Sequence, residues 1–285
     1  MVVLITENIE EGSRTAARLV GQAVNNNPAL RLGLAAGNTP TGLYRNLVDL
    51  HRSERLDFSR VEVFSLDEFL GLATNSANSY HTFYHQHLLN HVNIDPTHLH
   101  LLNGQTEKDI ASYCSYYEQL IRDNGGIDLQ ILGIGRNGHL GFNEPGSSLN
   151  SRTRISLLSA STRRGMARLF TQAHVPKWAV TMGLGTILEA RVLLLLAFGK
   201  QKAAAVAKAV EGPLSASIPA SSIQLHPTSI LVLNHEAASS LRNQEYYRHE
   251  ASQLEAMLPD WLRGEKSSSV ADSPSTGNCP FWDFR

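Results

Sequence analysis

The stretch ILGIGRNGHLGFNEPG (Ile131–Gly146) opens apolar, breaks into glycines, and then sets His139 and Glu144 five positions apart. The run that leads into it, DLQILGIG (Asp128–Gly135), is apolar almost throughout. A strand covered on one face alternates apolar with polar residues; a continuous apolar run fits a strand covered on both. VVLIT (2–6), LRLGLAAG (30–37), VEVFSL (61–66), WAVTMG (178–183), RVLLLLAFG (191–199) and SILVL (229–233) read as further strands. Between them lie segments with helical spacing of apolar residues, among them EGSRTAARLVGQAVNN (11–26), TPTGLYRNLVDLHRS (39–53), EKDIASYCSYYEQLIRDN (107–124) and QKAAAVAKAVEG (201–212). Strands alternating with helices predict an α/β fold: a doubly wound, mostly parallel sheet flanked by helices, Rossmann-like. Ligands of such sheets sit beyond the carboxyl ends of the strands, so the residues just after each strand are the candidates for chemistry.

Composition narrows the function classes. The 285 residues suffice for a large core, and 42% hydrophobic with 18% charged residues is ordinary for a globular chain. A formal net charge of −1 gives no electrostatic means of capturing nucleic acid or an anionic membrane, so neither is expected as a partner. The longest apolar run, VLLLLAF (Val192–Phe198), is far too short to span a bilayer. The first residues carry no basic leader of a signal peptide, and two cysteines, Cys114 and Cys279, make no disulfide framework, so a cytoplasmic setting is expected. No internal repeat is visible. Residues 1–263 read as one catalytic domain, and 264–285, rich in serine until the aromatic tip of Phe281, Trp282 and Phe284, as a flexible tail.

Four strand ends carry polar residues worth weighing. After the second strand come Gly37, Asn38, Thr39 and Pro40; Thr39 can cap the next helix and Pro40 suits its first turn. Free backbone N–H groups at such a turn favour an anion, and a phosphate fits. A plain strand-to-helix turn would look the same, and no Gly-Lys-Ser/Thr follows to make it a Walker loop. After the third strand stand Asp67 and Glu68, either a general base facing the cleft or merely acids at a helix start. In the opening stretch, Gly133, Gly135 and Gly138 allow a sharp turn, and Asn137, His139 and Glu144 crowd polar groups into it. A histidine can pass protons near neutral pH, and a neighbouring glutamate can orient it. After the strand ending at Gly199, Lys202 falls in the first turn of a helix, where a cation opposes the helix dipole unless an anion is bound. Arg152, Arg154, Arg163, Arg164 and Arg168 add forked donors suited to phosphate. His81, His85, His87 and His91 hold i,i+4 spacings that can bind metal on a helix, but no glutamate base completes such a site, and they read as surface or packing residues.

Taken together these pieces resemble the glucosamine-6-phosphate deaminase/isomerase family, over roughly Leu4 to Leu233. AAGNTPTGLY, LDEFLGL, NSYHTFYHQHL, GIGRNGHLGFNEPGSSLNSRTR, TMGLGTILEA, GKQKAAAVAKAVEG and IQLHPTSILVL carry the resemblance, and Gly-His-x-x-Phe-Asn-Glu-Pro is its most specific part. Sugar-phosphate lactonases share the fold but typically continue Gly-His with Ala-Ser-Leu-Phe-Pro, where this chain has GHLGFNEPG. The resemblance implies a deaminase that turns glucosamine 6-phosphate and water into fructose 6-phosphate and ammonia, with neither cofactor nor metal. It assigns Asp67 as the base moving the C2 proton to C1, His139 as the group opening the ring through O5, and Glu144 as the partner setting the ionisation of the histidine. Phosphate would lie on Gly37, Asn38, Thr39, Arg168 and Lys202. Where some members have aspartate this chain has Asn137, which can orient but cannot take a proton. Ala36 and Asn38 replace a Thr and a Gly of the phosphate turn. Ser147 and Arg154 match an allosteric site found at a subunit interface of hexameric members, but Ser156 replaces its lysine. Leu158–Val180 matches a mobile lid. The family ranges from monomer to hexamer, which leaves a homo-oligomer open. A galactosamine-6-phosphate deaminase/isomerase is the alternative enzyme, and a non-catalytic sugar-phosphate sensor the alternative of another class.

Overall fold

The computed structural model describes residues 1–257 apart from 55, 106–108, 168–169 and 171–174. Its strands are β1 (Val2–Thr6), β2 (Arg31–Leu34), β3 (Glu62–Ser65), β4 (Asp67–Phe69), β5 (Leu99–His100), β6 (Leu129–Gly133), β7 (Arg154–Leu157), β8 (Trp178–Thr181), β9 (Val192–Ala197) and β10 (Ser229–Asn234). The helices are α1 (Ile9–Asn26), α2 (Thr41–Glu54), α3 (Tyr80–His87), α4 (Ile110–Asp123), α5 (Ala160–Met166), α6 (Leu184–Leu188), α7 (Ala203–Val210), α8 (His235–Ala238) and α9 (Gln244–Met257). The 264–285 tail lies outside the described residues. Among the described residues no helix is long and apolar enough to cross a membrane.

Seven strands form one parallel sheet in the order β1-β10-β9-β6-β2-β3-β5. The continuous apolar runs have the predicted consequence: all six residues of β9 are buried, as are Leu129 to Leu132 of β6. Helix α1 shows the complementary pattern, with Ala16, Ala17, Val20 and Val24 forming a buried stripe. It starts where Asn8 accepts a hydrogen bond from the Glu11 N–H at 2.9 Å.

The order of the sheet decides where a ligand can sit. From β2 the chain winds outward through β3 to β5. It then returns to the other side of β2 with β6, and winds the opposite way through β9 and β10. The loops leaving β2 and β6 therefore diverge and leave a crevice between them, the switch point of a doubly wound sheet.

The WAVTMG segment forms a strand, but not in this sheet. β8 lies in a separate three-stranded antiparallel sheet, β4-β8-β7, with Asp67 opposite Thr181 and Arg154 also opposite Thr181 on the other side. The chain crosses between sheets at Leu66, whose N–H donates to Leu34 O of the main sheet and whose carbonyl accepts from Met182 N–H of the small one.

Candidate active site

The four polar strand ends lie side by side. In the sheet, β9, β6, β2 and β3 are consecutive; they carry, in turn, Lys202, the Gly135–Glu144 loop, the Gly37–Thr39 turn and Asp67. Neighbouring strands are about 4.8 Å apart, so the outer two of these four are separated by roughly 14 Å.

Asp67 is only 4% exposed, held in β4 against β8. No hydrogen bond reaches its carboxylate among the described residues. Burial, and then the charge of Glu68, push it well above the ordinary carboxylate range. Tyr44, Tyr80 and Tyr84 are buried close enough to feel its charge. Its neighbour behaves differently. Glu68 accepts from the N–H groups of Phe69 (2.7 Å), Tyr80 (3.0 Å) and His81 (2.8 Å), and so ties the start of α3 to β4. Of the two adjacent acids, Glu68 is an anchor and Asp67 is left unengaged.

The glycine loop brings the second group together. Gly135 N–H donates to His139 O at 2.9 Å, closing a turn through Gly138, whose φ of +84° suits glycine. A Cβ on Gly135 would lie 2.3 Å from the His139 ring, so the imidazole packs directly over that backbone. His139 Nδ1 stands 3.7 Å from Glu144 Oε2. Asn137 Nδ2 donates to the same oxygen at 2.7 Å, while Asn137 Oδ1 accepts from His139 N–H at 3.3 Å. Ser159 N–H donates to Glu144 Oε1 at 3.1 Å. Burial alone would raise the Glu144 carboxyl, but the approach of His139 and Thr162, the charge of His139 and the Asn137 amide outweigh it and hold it down to about 2. The loop then turns back toward the first carboxylate. At Gly141, φ +54°, an added Cβ would come within 3.2 Å of Asp67 Oδ2 and 3.0 Å of Thr181 Oγ1. One loop thus touches both acids.

The other side of the crevice is cationic. Lys202 is not in the first turn of α7 as expected; Lys200–Lys202 form a 3₁₀ turn and α7 begins at Ala203. This lets the ammonium reach back across the sheet and donate to Ile134 O at 2.6 Å. Burial, and then the nearby Arg136 charge, lower it to about 8. Thr39 lies against the end of β6, where a Cβ on Gly133 would be 3.9 Å from Thr39 Cβ. It is not the helix cap, because α2 begins at Thr41 and it is the Pro40 carbonyl that accepts from Tyr44 N–H. The Thr41 hydroxyl instead donates to Gly37 O at 3.3 Å.

The arginine-rich segment divides. Arg152 is engaged by Glu118 at 2.7 Å and Glu189 at 2.6 Å, which removes it from the phosphate candidates. Arg154 donates to Asn143 Oδ1 at 2.7 Å and Ser147 Oγ at 2.9 Å, so the two residues matched to an allosteric site do meet. Arg168 lies outside the described residues. Of the histidines, His81 and His85 have ring centres 4.8 Å apart, and the His87 ring lies 4.4 Å from that of Phe83, tilted by 47°. Among the described residues no group of three or more His, Cys, Asp or Glu is placed to hold a metal. Arg136, Ser159 and Thr162 were not singled out by sequence; only Ser159-x-x-Thr162, a helix-capping spacing, could have signalled the last two.

Residues 6–232 match the family model described as glucosamine-6-phosphate isomerases/6-phosphogluconolactonase. The chain belongs to that family. Within it, the chain is 42% identical over 246 residues to a glucosamine-6-phosphate deaminase of Thermoanaerobacter pseudethanolicus, covering 86% of this chain and 97% of that protein. It is 43% identical over 259 residues to the glucosamine-6-phosphate deaminase of Cellvibrio japonicus, covering 90% and 98%. A solved family structure described as a monomeric glucosamine-6-phosphate deaminase superposes with a TM-score of 0.82 at 42% identity, covering 84% of this chain and all of the other. The 6-phosphogluconolactonase of Trypanosoma brucei superposes at 0.65 with 19% identity over 84% and 98%, which shows the shared family fold.

Proposed function

We propose that this chain is a glucosamine-6-phosphate deaminase, converting glucosamine 6-phosphate and water to fructose 6-phosphate and ammonia. One observation carries the reading: a single glycine loop joins a buried carboxylate that favours its proton to a carboxylate held ionised beside a histidine. Two acids driven to opposite proton affinities within one site serve different chemical roles. The deaminases that cover nearly the whole chain at 42% and 43% identity support the same reading.

In this reading the substrate phosphate lies at Gly37, Asn38, Thr39 and Lys202, with Arg168 as a further donor, and holds the sugar across the crevice. That binding far from the reacting carbons positions them. His139, oriented by Asn137 and Glu144, takes the proton of the C1 hydroxyl and returns it to ring oxygen O5 as the C1–O5 bond breaks. Asp67 removes the C2 proton from the open aldehyde; the C2–H electron pair forms C1=C2 as the aldehyde oxygen takes a proton from the ammonium group on C2. Delivery of a proton to C1 leaves an imine at C2. Water adds to that carbon and ammonia departs, giving the ketose. Asp67 meets the demand of the transfer, since one base with raised proton affinity takes a proton from one carbon and gives it to its neighbour. Residues 1–263 act as the catalytic domain and the setting is cytoplasmic.

The test is release of ammonia and formation of fructose 6-phosphate from glucosamine 6-phosphate, with galactosamine 6-phosphate as the matched control. Turnover of the first with little of the second is expected. Turnover of the second alone moves the function to the galactosamine branch, and binding without turnover of either makes the chain a sensor.

A further inference from the structure

We infer that Thr162 is a positioning residue that holds His139 and Glu144 in register through its hydroxyl. Its Oγ1 lies 3.5 Å from His139 Nδ1, the ring nitrogen that also faces Glu144 Oε2 at 3.7 Å. Thr162 is 7% exposed, although it belongs to the short helix α5 and is remote in sequence from the loop it touches. Its own orientation is fixed twice over. Ser159 Oγ donates to Thr162 Oγ1 at 3.0 Å, and Thr162 N–H donates to Ser159 Oγ at 3.1 Å. With Ser159 donating to its oxygen, the Thr162 hydroxyl keeps a hydrogen-bonding position for His139 Nδ1. The Ser159 N–H then fixes the opposite oxygen of Glu144 at 3.1 Å. Asn137 constrains the pair from the glycine loop, and Ser159 with Thr162 constrains it from α5. A ring nitrogen placed between an acceptor and a hydroxyl is confined in rotation and tautomer, and second-layer contacts of this kind govern how well a histidine transfers protons.

The inference rests on the assignment of His139 to the reaction, and the two can be separated. Thr162→Val keeps shape and removes the hydroxyl; Thr162→Ser keeps the hydroxyl and removes the methyl. In the glucosamine 6-phosphate assay, Thr162→Val is expected to lower kcat about tenfold, the loss of one hydrogen bond of about 1.4 kcal/mol, with KM within about twofold of the parent. Thr162→Ser should restore most of kcat. Should the valine variant not fold, Thr162→Ala removes the same hydroxyl and is read the same way. An unchanged kcat in the hydroxyl-free variant, an effect mainly on KM, or equal impairment by valine and serine would each overturn the inference. His139→Gln is measured beside them: full activity there would overturn the catalytic reading itself, whereas a loss there with an unaffected Thr162→Val would overturn only the role of Thr162.

Discussion

Asp67 and Glu144 are both buried carboxylates touched by one loop, yet their surroundings drive them apart. Asp67 has a like charge next to it in the chain and receives no hydrogen bond among the described residues; Glu144 collects donors from Asn137, Ser159 and the His139–Thr162 side. Burial raises both, more for the fully enclosed Asp67, and at Glu144 the donors together with the charge of His139 reverse the sign. The carboxylate without donors is free to exchange a proton with substrate, and the one with donors stays an anion that orients its neighbour.

The contrast can be broken most sharply at Asp67. Asp67→Asn should lower kcat on the order of 10³-fold while sugar-phosphate binding, read by calorimetry, persists. Retention of turnover would remove Asp67 from the proton transfer. Glu144→Gln should be milder, a loss of roughly 10–100-fold in kcat, since the amide keeps one acceptor but no charge. Lys202→Ala should leave kcat nearly intact and raise KM about tenfold in steady-state kinetics, because its phosphate contact exists before and during reaction. A fall in kcat at unchanged KM would refute the phosphate role.

The smallest effect separates the two acids by stability, and its signs are opposite. Asp67 binds its proton more tightly folded than unfolded, so ionisation above pH about 4 opposes folding. Asp67→Asn should therefore melt a few degrees higher than the parent at pH 7, with the gap closing as pH falls toward 4. Glu144 is held down to about 2 from an ordinary 4.5, so its contribution is fully present above pH 4.5 and lost as pH falls toward 2. Glu144→Gln should melt a few degrees lower at pH 7, and the two curves should converge across that acid window. Melting shifts of the same sign in the two variants would end the contrast.

Much of this site is local in sequence. A continuous apolar run followed by glycines marks β6 and its loop, and Asn137, His139 and Glu144 meet because the loop is short. The switch point follows from strand order, which periodicity does not encode: it exists because β6 lies between β9 and β2. For the same reason WAVTMG could be read as a strand but not assigned to the small sheet. β4 is not legible in sequence, because three residues, two of them acidic, show no period. In sequence Glu68 is as good a candidate base as Asp67; the N–H groups of Tyr80 and His81 that occupy it lie 12 and 13 residues away. Lys202 is legible as a cation at a helix start, whereas its reach to Ile134 depends on a 3₁₀ turn that delays α7 to Ala203.

The outer edge of the main sheet carries a consequence for how the chain is made. β1 pairs along its length with β10, Val2 opposite Ile230 and Thr6 opposite Asn234. β1 precedes every other strand of this sheet and is without its ladder until β10, the last of them, has been synthesised, so closing that distant pairing is a slow, late step. During that interval VVLIT is an unpaired apolar edge, so a bulky fusion ahead of Val2 burdens assembly at its most delayed contact, far from the chemistry.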